Sequence, residues 1–319
     1  MNPTVSVVIP AYNCASFIRN TLDTVFQQTC KDYEVVVVDD GSTDNTMEVL
    51  SGYGDRIKLI RQGNKGNSAA RNTAIRNSSG EYIAFLDHDD LWLPEKLEKQ
   101  MSVLKADKSI GLVYSDGYVV DSNGSIITTF FESALPQRGE VTQKLFMYYF
   151  LPLLSVLVKK DLVIQAGCFP EDLRICEEWE LFLKISEKAK MEYVDEKLVK
   201  YVVHDGNQSR NRELSKTEEI AVMQRALKNI PALQSMPVTN ARKRFCNLYR
   251  ELANIQMWKQ DAKKARASLL FALKYKSDTL KILLLLMMSF CGPSFYNFML
   301  KSRKRIYGSK NPFGPGWSN

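Results

Sequence analysis

The sequence predicts an α/β fold, with a mostly parallel, Rossmann-like sheet flanked by helices and a helical C-terminal extension. Up to about residue 115, apolar β-branched runs alternate with segments of helical periodicity, and one run holds four consecutive valines, as in a parallel strand covered on both faces. After about residue 210 the periodicity is helical throughout. We therefore expect an α/β domain over residues 1–210 and a helical region over residues 211–319.

The first two strand–helix pairs can be placed from the pattern of apolar residues. VSVVIP predicts a strand that Pro10 ends, and ASFIRNTLDTVFQQT has helical periodicity. YEVVVVDD predicts the second strand, and GSTDNTMEVL carries turn and N-cap residues into a second helix.

The same alternation continues for another strand–helix–strand unit. RIKLIRQ predicts the third strand, GNSAARNTAIRNSSG the third helix and EYIAFLD the fourth strand. Strands and helices at this spacing predict right-handed βαβ units.

The amino-acid composition is that of a globular protein, and it limits the cellular compartment and the partners that we expect. The chain of 319 residues is 45% hydrophobic and 25% charged, with a modest net charge of +7. Its six cysteines include no CxxC pair, which favours reduced thiols in a cytosolic protein. MNPTVSVVIPAYN has no basic segment or cleavage site, and we expect no signal peptide there. Basic residues without interleaved aromatic side chains make nucleic acid a poor partner.

Candidate ligand-binding residues lie at the carboxyl ends of three of the predicted strands, at the sheet edge where ligands bind in open α/β folds. They are Pro10, Tyr12 and Asn13 after the first strand, Asp39 and Asp40 after the second, and Asp87 to Asp90 after the fourth. We expect Arg71 and Asn72, in the first turn of the third helix, to point into the same crevice. Asp40 suits nucleotide binding and a turn or helix cap equally well. The chain has no Walker A loop and no GxGxxG after the first strand, so neither a P-loop NTPase nor a dinucleotide enzyme fits.

The acidic segment FLDHDDLW indicates a bound cation. We expect Asp90 to cap the following helix, while Asp87 and Asp89, two residues apart, share one face if the backbone stays extended. Convergent carboxylates of this kind suit Mg²⁺ or Mn²⁺, whose shell substrate phosphates commonly complete. The sequence therefore predicts a metal–diphosphate site.

Five motifs in order resemble the signatures of family 2 glycosyltransferases, which are inverting enzymes with the GT-A fold. The first four are VSVVIPAYN, VVVVDDGSTD, GNSAARN and FLDHDDLW, in which DHD matches the family's DxD motif. The fifth, CEEWELFLKIS, resembles the family's Glu-Asp motif. The resemblance covers residue 4 to about 210 and implies a role in synthesis of bacterial cell-surface polysaccharide or glycoconjugate.

The resemblance also implies residue roles. The implied donor-binding residues are Pro10, Tyr12, Asn13, Asp39, Asp40, Arg71, Asp87 and His204. Asp87 and Asp89 would hold Mn²⁺ or Mg²⁺, with Asp89 the more direct ligand. His204 lies in a loop similar to the one that closes the family's donor site, although a solvated loop histidine is nearly as good an interpretation. Asn207 and Ser209 are weaker candidates in that loop, and His88 is expected to face away.

The general base is where the sequence departs from the family. Inverting transfer needs a carboxylate that takes the proton from the acceptor hydroxyl. The family usually has Asp in the second position of its pair, whereas this chain has Glu177–Glu178, and the longer side chain moves the carboxylate outward by ~1.5 Å. We expect Glu178 to be the base because Trp179 keeps the family register, with Glu177 as the alternative. Both would also complement the helix dipole.

The C-terminal region predicts contact with a membrane surface. The apolar run 282–291 is shorter than the ~20 residues that span a bilayer, Gly292–Pro293 interrupts it, and four basic residues follow between Lys301 and Arg305. An interfacial anchor on the inner leaflet fits this pattern, as does a buried helix with a solvated basic tail.

The implied activity is metal-dependent transfer of a single sugar, with inversion, from a nucleotide-sugar donor to a hydroxyl of a glycan or lipid-linked acceptor. The donor would be a UDP-sugar, and the protein would be cytoplasmic and peripheral on the membrane. Two alternatives stay open: a sugar-1-phosphate nucleotidyltransferase, and a non-catalytic sugar-nucleotide or membrane-binding protein. The chain has no QxxRW motif of processive enzymes.

Overall fold

A computed structural model describes residues 3–132, 135–207 and 211–307, with side chains as far as Leu300. The chain divides into two compact units. The first comprises residues up to Leu145 together with Tyr149–Asn207, and the second comprises Phe146–Tyr148 and the helices after Asn207. The candidate site lies in the first unit.

The first half of the sheet is parallel, as the sequence predicts. Its strands are β1 (Val5–Ala11), β2 (Tyr33–Asp39), β3 (Lys58–Arg61) and β4 (Tyr82–Phe85), paired side by side in the order β3-β2-β1-β4. The helices between them are α1 (Ile18–Phe26), α2 (Thr46–Ser51) and α3 (Asn67–Arg76). Every residue of β1 is buried, which explains why the first strand is a continuous apolar run.

The second half of the sheet is mixed. The elements that follow β4 are β5 (Leu91–Trp92), α4 (Lys96–Ala106), β6 (Ile110–Asp121), β7 (Ile126–Thr129), α5 (Thr142–Met147), β8 (Leu157–Lys159), α6 (Lys160–Gln165), α7 (Glu177–Ser186) and β9 (Lys190–Val203). Strand β8 pairs antiparallel with both β4 and β6, whereas β6 and β9 are parallel. Within the described residues the sheet has nine strands in the order β3-β2-β1-β4-β8-β6-β9-β5, with β7 paired to β6.

The parallel strands bring their carboxyl ends to one edge. Ala11 at the end of β1 is in register with Asp39 at the end of β2, and Phe85 at the end of β4 is in register with Val8. The segments that leave these strands therefore meet at the same edge, which positions the acidic residues of two motifs, together with Tyr12 and Asn13, around one crevice.

The second unit is helical in its described part. It contains α8 (Arg212–Asn229), α9 (Val238–Trp258), α10 (Ala262–Lys274), α11 (Thr279–Phe290) and α12 (Pro293–Tyr307), with a core to which α9, α10, α11 and α12 all contribute. The predicted break is confirmed, because Gly292 has a φ of 93° and Pro293 begins the last helix. Among the described residues, none of the helices is both long and apolar enough to cross a membrane.

Candidate functional site

Arg71 joins two of the sequence motifs. It lies in the second turn of α3, not the first, and is 3% exposed. Its Nη1 donates to Glu177 Oε1 at 2.8 Å and its Nη2 donates to Asp87 Oδ1 at 2.6 Å. One guanidinium therefore holds the acidic segment after β4 against the start of α7. Its Nε has no hydrogen-bond partner among the described residues, which leaves one donor for a ligand.

Glu177 and Glu178 form the first turn of α7. Glu177 is buried and its Oε2 has no partner in the described part of the chain, whereas Glu178 is partly buried. Burial raises the pKa of Glu177, and the Arg71 charge opposes this rise. Burial, together with the negative charge of Glu177, raises the pKa of Glu178 well above its usual range. Burial therefore favours the protonated form of both carboxyl groups, and of the two Glu177 is the one that Arg71 contacts directly.

The acidic segment after β4 forms a turn, so the premise of an extended backbone is wrong. The Asp90 N–H donates to the Asp87 carbonyl at 3.2 Å, which closes the turn. Asp87 therefore faces Arg71, while Asp89 Oδ2 lies 2.7 Å from His204 Nε2. The two carboxylates reach different protein partners from neighbouring positions of one turn.

Asp90 does not cap the following helix, and that expectation is also wrong. Helix α4 begins after Glu95 without a side-chain cap. The buried Asp90 Oδ1 accepts instead from the Val202 N–H at 3.0 Å, because the turn directs it towards β9. Burial and the neighbouring charges of Asp89 and Asp87 raise its pKa well above the usual range. Asp90 thus ties the acidic turn to the strand that leads to His204.

His204 is held in one tautomer. The Gly206 N–H donates to His204 Nδ1 at 3.1 Å, so Nδ1 is unprotonated and Nε2 carries the proton towards Asp89. The imidazole stacks on Phe17 at a centroid distance of 4.8 Å, and Asn207 Oδ1 accepts from the His204 N–H at 2.6 Å. His204 therefore lies at the acidic turn and is not a solvated loop residue, and Asn207 shapes its loop. Ser209 lies outside the described residues.

Asp39 and Asp40 have different surroundings. Asp39 is buried, accepts from the Ser42 N–H at 3.2 Å and lies 3.5 Å from Arg61 Nε. The Arg61 contact is to Oδ2, which has no hydrogen bond in the described part of the chain and so retains capacity to accept one from a ligand. The carboxylate of Asp40, in contrast, accepts from Gln62 Nε2 and from the backbone N–H groups of Lys65 and Gly66 at 2.7–2.9 Å. Asp40 thereby orders the loop before α3, which is the turn-capping interpretation of this residue.

The segment after β1 supplies the other predicted donor-binding residues. Tyr12 is 38% exposed, and Asn13 adopts a left-handed φ of 48° while its Oδ1 accepts from the Thr43 N–H at 2.8 Å. The Pro10 carbonyl lies 3.1 Å from His88 Nδ1, so His88 faces β1, away from the partners of Asp87 and Asp89. These contacts connect the first and second motifs and leave the Tyr12 ring accessible for stacking.

Asn72 anchors the loop that precedes α7. Its Nδ2 donates to the Phe169 carbonyl at 2.9 Å, and its Oδ1 accepts from the Phe169 N–H at 2.9 Å. Nδ2 also lies 2.9 Å from Glu171 Oε1. The sequence predicted that Asn72, next to Arg71, would lie near the site. It could not predict that the Asn72 amide would hold the backbone of Phe169 in place through two hydrogen bonds, an arrangement that we call the Asn72 clamp. The stacking of Phe17 on His204 had no sequence signal that we can identify.

The acidic turn offers oxygen ligands suited to a hard cation. One oxygen of Asp87 bonds to Arg71 and one oxygen of Asp89 to His204, so each carboxylate has a second oxygen for a ligand. Among the described residues, no cluster of three or more His, Cys, Asp or Glu side chains is arranged to hold a metal ion. The two carboxylates, Asp87 and Asp89, are instead suited to Mg²⁺ or Mn²⁺ held by one or two protein carboxylates, with substrate phosphates completing the coordination shell.

Comparison with known proteins identifies the family. The glycosyl transferase family 2 profile matches residues 6–152. The chain is 34% identical over 226 residues to an uncharacterized glycosyltransferase of Rickettsia typhi, covering 68% of this chain and 69% of the relative. It is 31% identical to the chondroitin synthase of Pasteurella multocida, covering 70% of this chain and 23% of that longer protein. The chain belongs to the family 2 glycosyltransferases and is a glycosyltransferase enzyme.

Solved structures confirm the predicted GT-A fold. Residues 1–349 of S. aureus TarS, in complex with UDP-GlcNAc, match with a TM-score of 0.68 and 17% identity over 96% of this chain and 92% of that one. The mannosyltransferase PcManGT of Pyrobaculum calidifontis, in complex with GDP-Man and Mn²⁺, matches with a TM-score of 0.60 and 18% identity over 97% and 89% of the two chains. At these identities the likeness supports the fold alone.

Proposed function

We propose that this enzyme transfers a sugar, with inversion, from a UDP-sugar to a hydroxyl of a glycan or lipid-linked acceptor during cell-surface polysaccharide or glycoconjugate synthesis. One observation carries the proposal: Arg71 bonds at once to Asp87 of the DxD motif and to Glu177 of the paired-glutamate motif. A donor diphosphate near Asp87 and an acceptor hydroxyl near Glu178 would therefore lie on either side of one buried cation.

The donor would bind along the carboxyl edge of the parallel strands. The exposed Tyr12 ring is available to stack on the base. Asp39 Oδ2, which faces Arg61 at 3.5 Å without a hydrogen bond among the described residues, would accept from a base N–H or a ribose hydroxyl. A uridine nucleotide is supported by the UDP-GlcNAc bound to TarS. The Arg71 Nε–H is a further donor that can face the diphosphate.

Asp87 and Asp89 would hold the cation, Mn²⁺ or Mg²⁺, with oxygen atoms that their protein contacts leave available. When bound, such a cation stabilises the negative charge that develops on the leaving diphosphate. The Mn²⁺ in PcManGT supports this choice of metal. The Nε2–H of His204 is directed at Asp89 and can donate to a phosphate oxygen that replaces it.

Glu178 would act as the general base. It follows Glu177, which forms an ion pair with Arg71, whereas no ion pair of Glu178 is present among the described residues. Because its pKa is raised by burial, its carboxylate is a stronger base than an exposed glutamate. The proton of the acceptor hydroxyl passes to a Glu178 oxygen as the hydroxyl attacks the anomeric carbon opposite the diphosphate.

The acceptor would be reached from the cytoplasm at the inner leaflet of a membrane. The six free cysteines suit a reducing compartment. The match to a chondroitin synthase supports a glycan acceptor. The exposed apolar residues of the last two helices, together with the basic sequence between Lys301 and Arg305, support a lipid-linked one. Transfer of one sugar per encounter fits a chain that has no QxxRW motif.

Donor turnover tests this proposal. The purified chain is incubated with a panel of nucleotide sugars and with Mn²⁺, Mg²⁺ or EDTA, and released nucleoside diphosphate is measured with and without membrane extract as the source of acceptor. We expect metal-dependent UDP release from one donor, and an anomeric configuration in the product opposite to that of the donor. Asp89→Ala and Glu178→Gln should each abolish the transfer, whereas Asp55→Ala, at an exposed site, should not.

Each of the two alternatives predicts a different result. A non-catalytic protein would bind UDP in a metal-dependent way without turnover under any condition. A nucleotidyltransferase would consume the sugar nucleotide only when pyrophosphate is added.

A further inference from the structure

The outer face of α11 is apolar although it is exposed. Leu280 is 84% exposed, Met287 62% and Phe290 71%, and Leu283 and Leu284 are also exposed. At 3.6 residues per turn these five side chains fall within about 120° of the helix circumference. They form a continuous stripe, whereas single exposed apolar residues on a protein surface need no explanation.

The other face of α11 provides its packing in the core of the second unit; within the stripe, the Phe290 ring contacts Arg266 at 4.9 Å. The opposite face of α11 carries Ile282, Leu285 and Ser289, which are buried, and the two apolar residues belong to the core of that unit. A helix that is apolar on both faces is expected to be covered on both. The exposed stripe therefore calls for a partner outside the unit.

Helix α12 repeats the arrangement. Tyr296 is fully buried in the same core, while Phe295, Phe298 and Met299 are exposed, Phe298 by 66%. Three large apolar side chains at i, i+3 and i+4 again lie on one helix face. Two successive helices of one unit thus each present a group of exposed apolar side chains on one face. Such groups indicate an interaction surface, whereas single exposed apolar residues do not.

The net charge of this segment favours an anionic partner. Residues 262–307 contain ten basic residues and one acidic residue, Asp278, for a net charge of +9, whereas the whole chain carries +7. The remainder of the protein is therefore net negative, and the positive charge is concentrated in the stretch of sequence that contains both apolar stripes. Two copies of such a surface would repel each other, which disfavours a dimer through this face.

We propose that α11 and α12 bind in the plane of a lipid surface rich in anionic headgroups, with the apolar stripes at the boundary of the acyl chains and the basic residues at the headgroup phosphates. Helix α11 has 12 residues, about 18 Å at 1.5 Å per residue, and its other face is held in the core, so it lies along the interface and does not cross it. The inference deepens the proposed function by naming the lipid class, and it rests on that function only for the location of the acceptor.

Vesicle co-sedimentation of the full chain tests the inference. Vesicles of phosphatidylcholine alone are compared with vesicles that also contain phosphatidylglycerol, at low and at high ionic strength. We expect binding to the anionic vesicles, weakened by salt, and little binding to the neutral ones. The triple variant Leu280→Ser, Leu284→Ser, Met287→Ser should lose at least about tenfold in affinity, and Arg303→Gln with Lys304→Gln about fivefold for each charge removed.

The matched control replaces two exposed isoleucines of the first unit, Ile126→Ser and Ile164→Ser, which are 62% and 52% exposed and should leave vesicle binding unchanged. Equal binding to neutral and anionic vesicles, unchanged binding of the triple variant, or a triple variant that turns a dimer into a monomer would each overturn the inference. Release of UDP without vesicles is measured on the same samples, so that a failure of lipid binding and a failure of catalysis are seen separately.

Discussion

Arg71 Nη1 donates to Glu177 Oε1 at 2.8 Å, although the two residues are 106 positions apart in the chain. The same guanidinium donates to Asp87 through Nη2. Both Arg71 and Glu177 are buried, so this ion pair is shielded from water and holds α3, the acidic turn and α7 in one arrangement. The proposed base is the next residue after Glu177, and its position therefore depends on Arg71.

Replacing Arg71 should damage both stability and catalysis. Arg71→Ala leaves Glu177 as an uncompensated buried charge, and we expect a loss of about 3–5 kcal/mol in the free energy of unfolding. Arg71→Lys keeps the charge but cannot reach both carboxylates with a planar fork, so kcat should fall while the fold persists. Urea unfolding and donor turnover measure the two effects. Arg76→Ala, exposed on the same helix, is the control, and equal effects at both positions would contradict the bridging role.

Glu178→Gln should lower acceptor-dependent transfer by about 10²–10⁴-fold, the usual contribution of a general base. Donor affinity should change little, because Glu178 is expected to contact the acceptor and not the nucleotide. Initial rates and UDP binding by calorimetry separate the two. Glu187→Gln, at the exposed end of α7, controls for loss of a surface carboxylate. If Glu177→Gln removes activity with Glu178→Gln unaffected, the base is Glu177.

The raised pKa of Glu178 also predicts a pH-dependent stability. In the unfolded chain its pKa returns to about 4.3, whereas burial holds it well above that value in the folded chain. Between the two values only the folded state binds the proton, so folding is stabilised at low pH and this contribution is lost as pH rises through the folded pKa. The free energy of unfolding of the wild type minus that of Glu178→Gln should therefore fall with rising pH and then level off. Urea unfolding at a series of pH values measures it, and a difference independent of pH would contradict the assignment.

The sequence could predict the parallel half of the sheet because its strands are recognisable one at a time. Each is an apolar run followed by turn residues, and Val35 to Val38 are almost fully buried in the structure. Strand β8 has only three residues, Leu157–Lys159, and β9 is largely half-exposed, so the pattern of neither one specifies its place in the sheet. Their antiparallel and parallel pairings are set by long-range contacts with β4 and β6.

The site was predictable as a set of residues but not as a geometry. The motifs singled out Asp87, Asp89 and the two glutamates, and the resemblance to the family implied a role for each of them. The sequence predicted an extended segment here, but the hydrogen bond between Asp90 and Asp87 closes a turn. Such a local hydrogen bond is an alternative to strand pairing that the apolar pattern does not reveal. The carboxylate partners of Arg71 and His204 lie 16 to 115 positions away, and no spacing rule within one sequence could reveal them.

Removal of divalent cations should abolish UDP release, and Asp89→Asn should raise the concentration of Mn²⁺ needed for half-maximal rate. The physical reason is that an amide oxygen carries no full negative charge and binds a hard cation more weakly than a carboxylate does. A titration of Mn²⁺ after treatment with EDTA measures the shift. Asp55→Asn, at an exposed position in the same unit, should titrate as the wild type does. Full activity in EDTA would show that the acidic turn acts without a metal.

Asn72 is expected to act as a positioning residue for α7. Its amide exchanges two hydrogen bonds with the backbone of Phe169, in the loop that leads to Glu177 and Glu178. Asn72→Ala leaves a buried N–H and a buried carbonyl without partners, which should cost about 1–3 kcal/mol for each unsatisfied group. The loop would then shift the base, and a displacement on the order of 1 Å lowers the rate by up to about 10²-fold. We expect kcat to fall while KM for the donor stays the same, because no donor contact is removed. Asn77→Ala, at the exposed C-cap of the same helix, is the control, and a change confined to stability would mean that the clamp has no effect on catalysis.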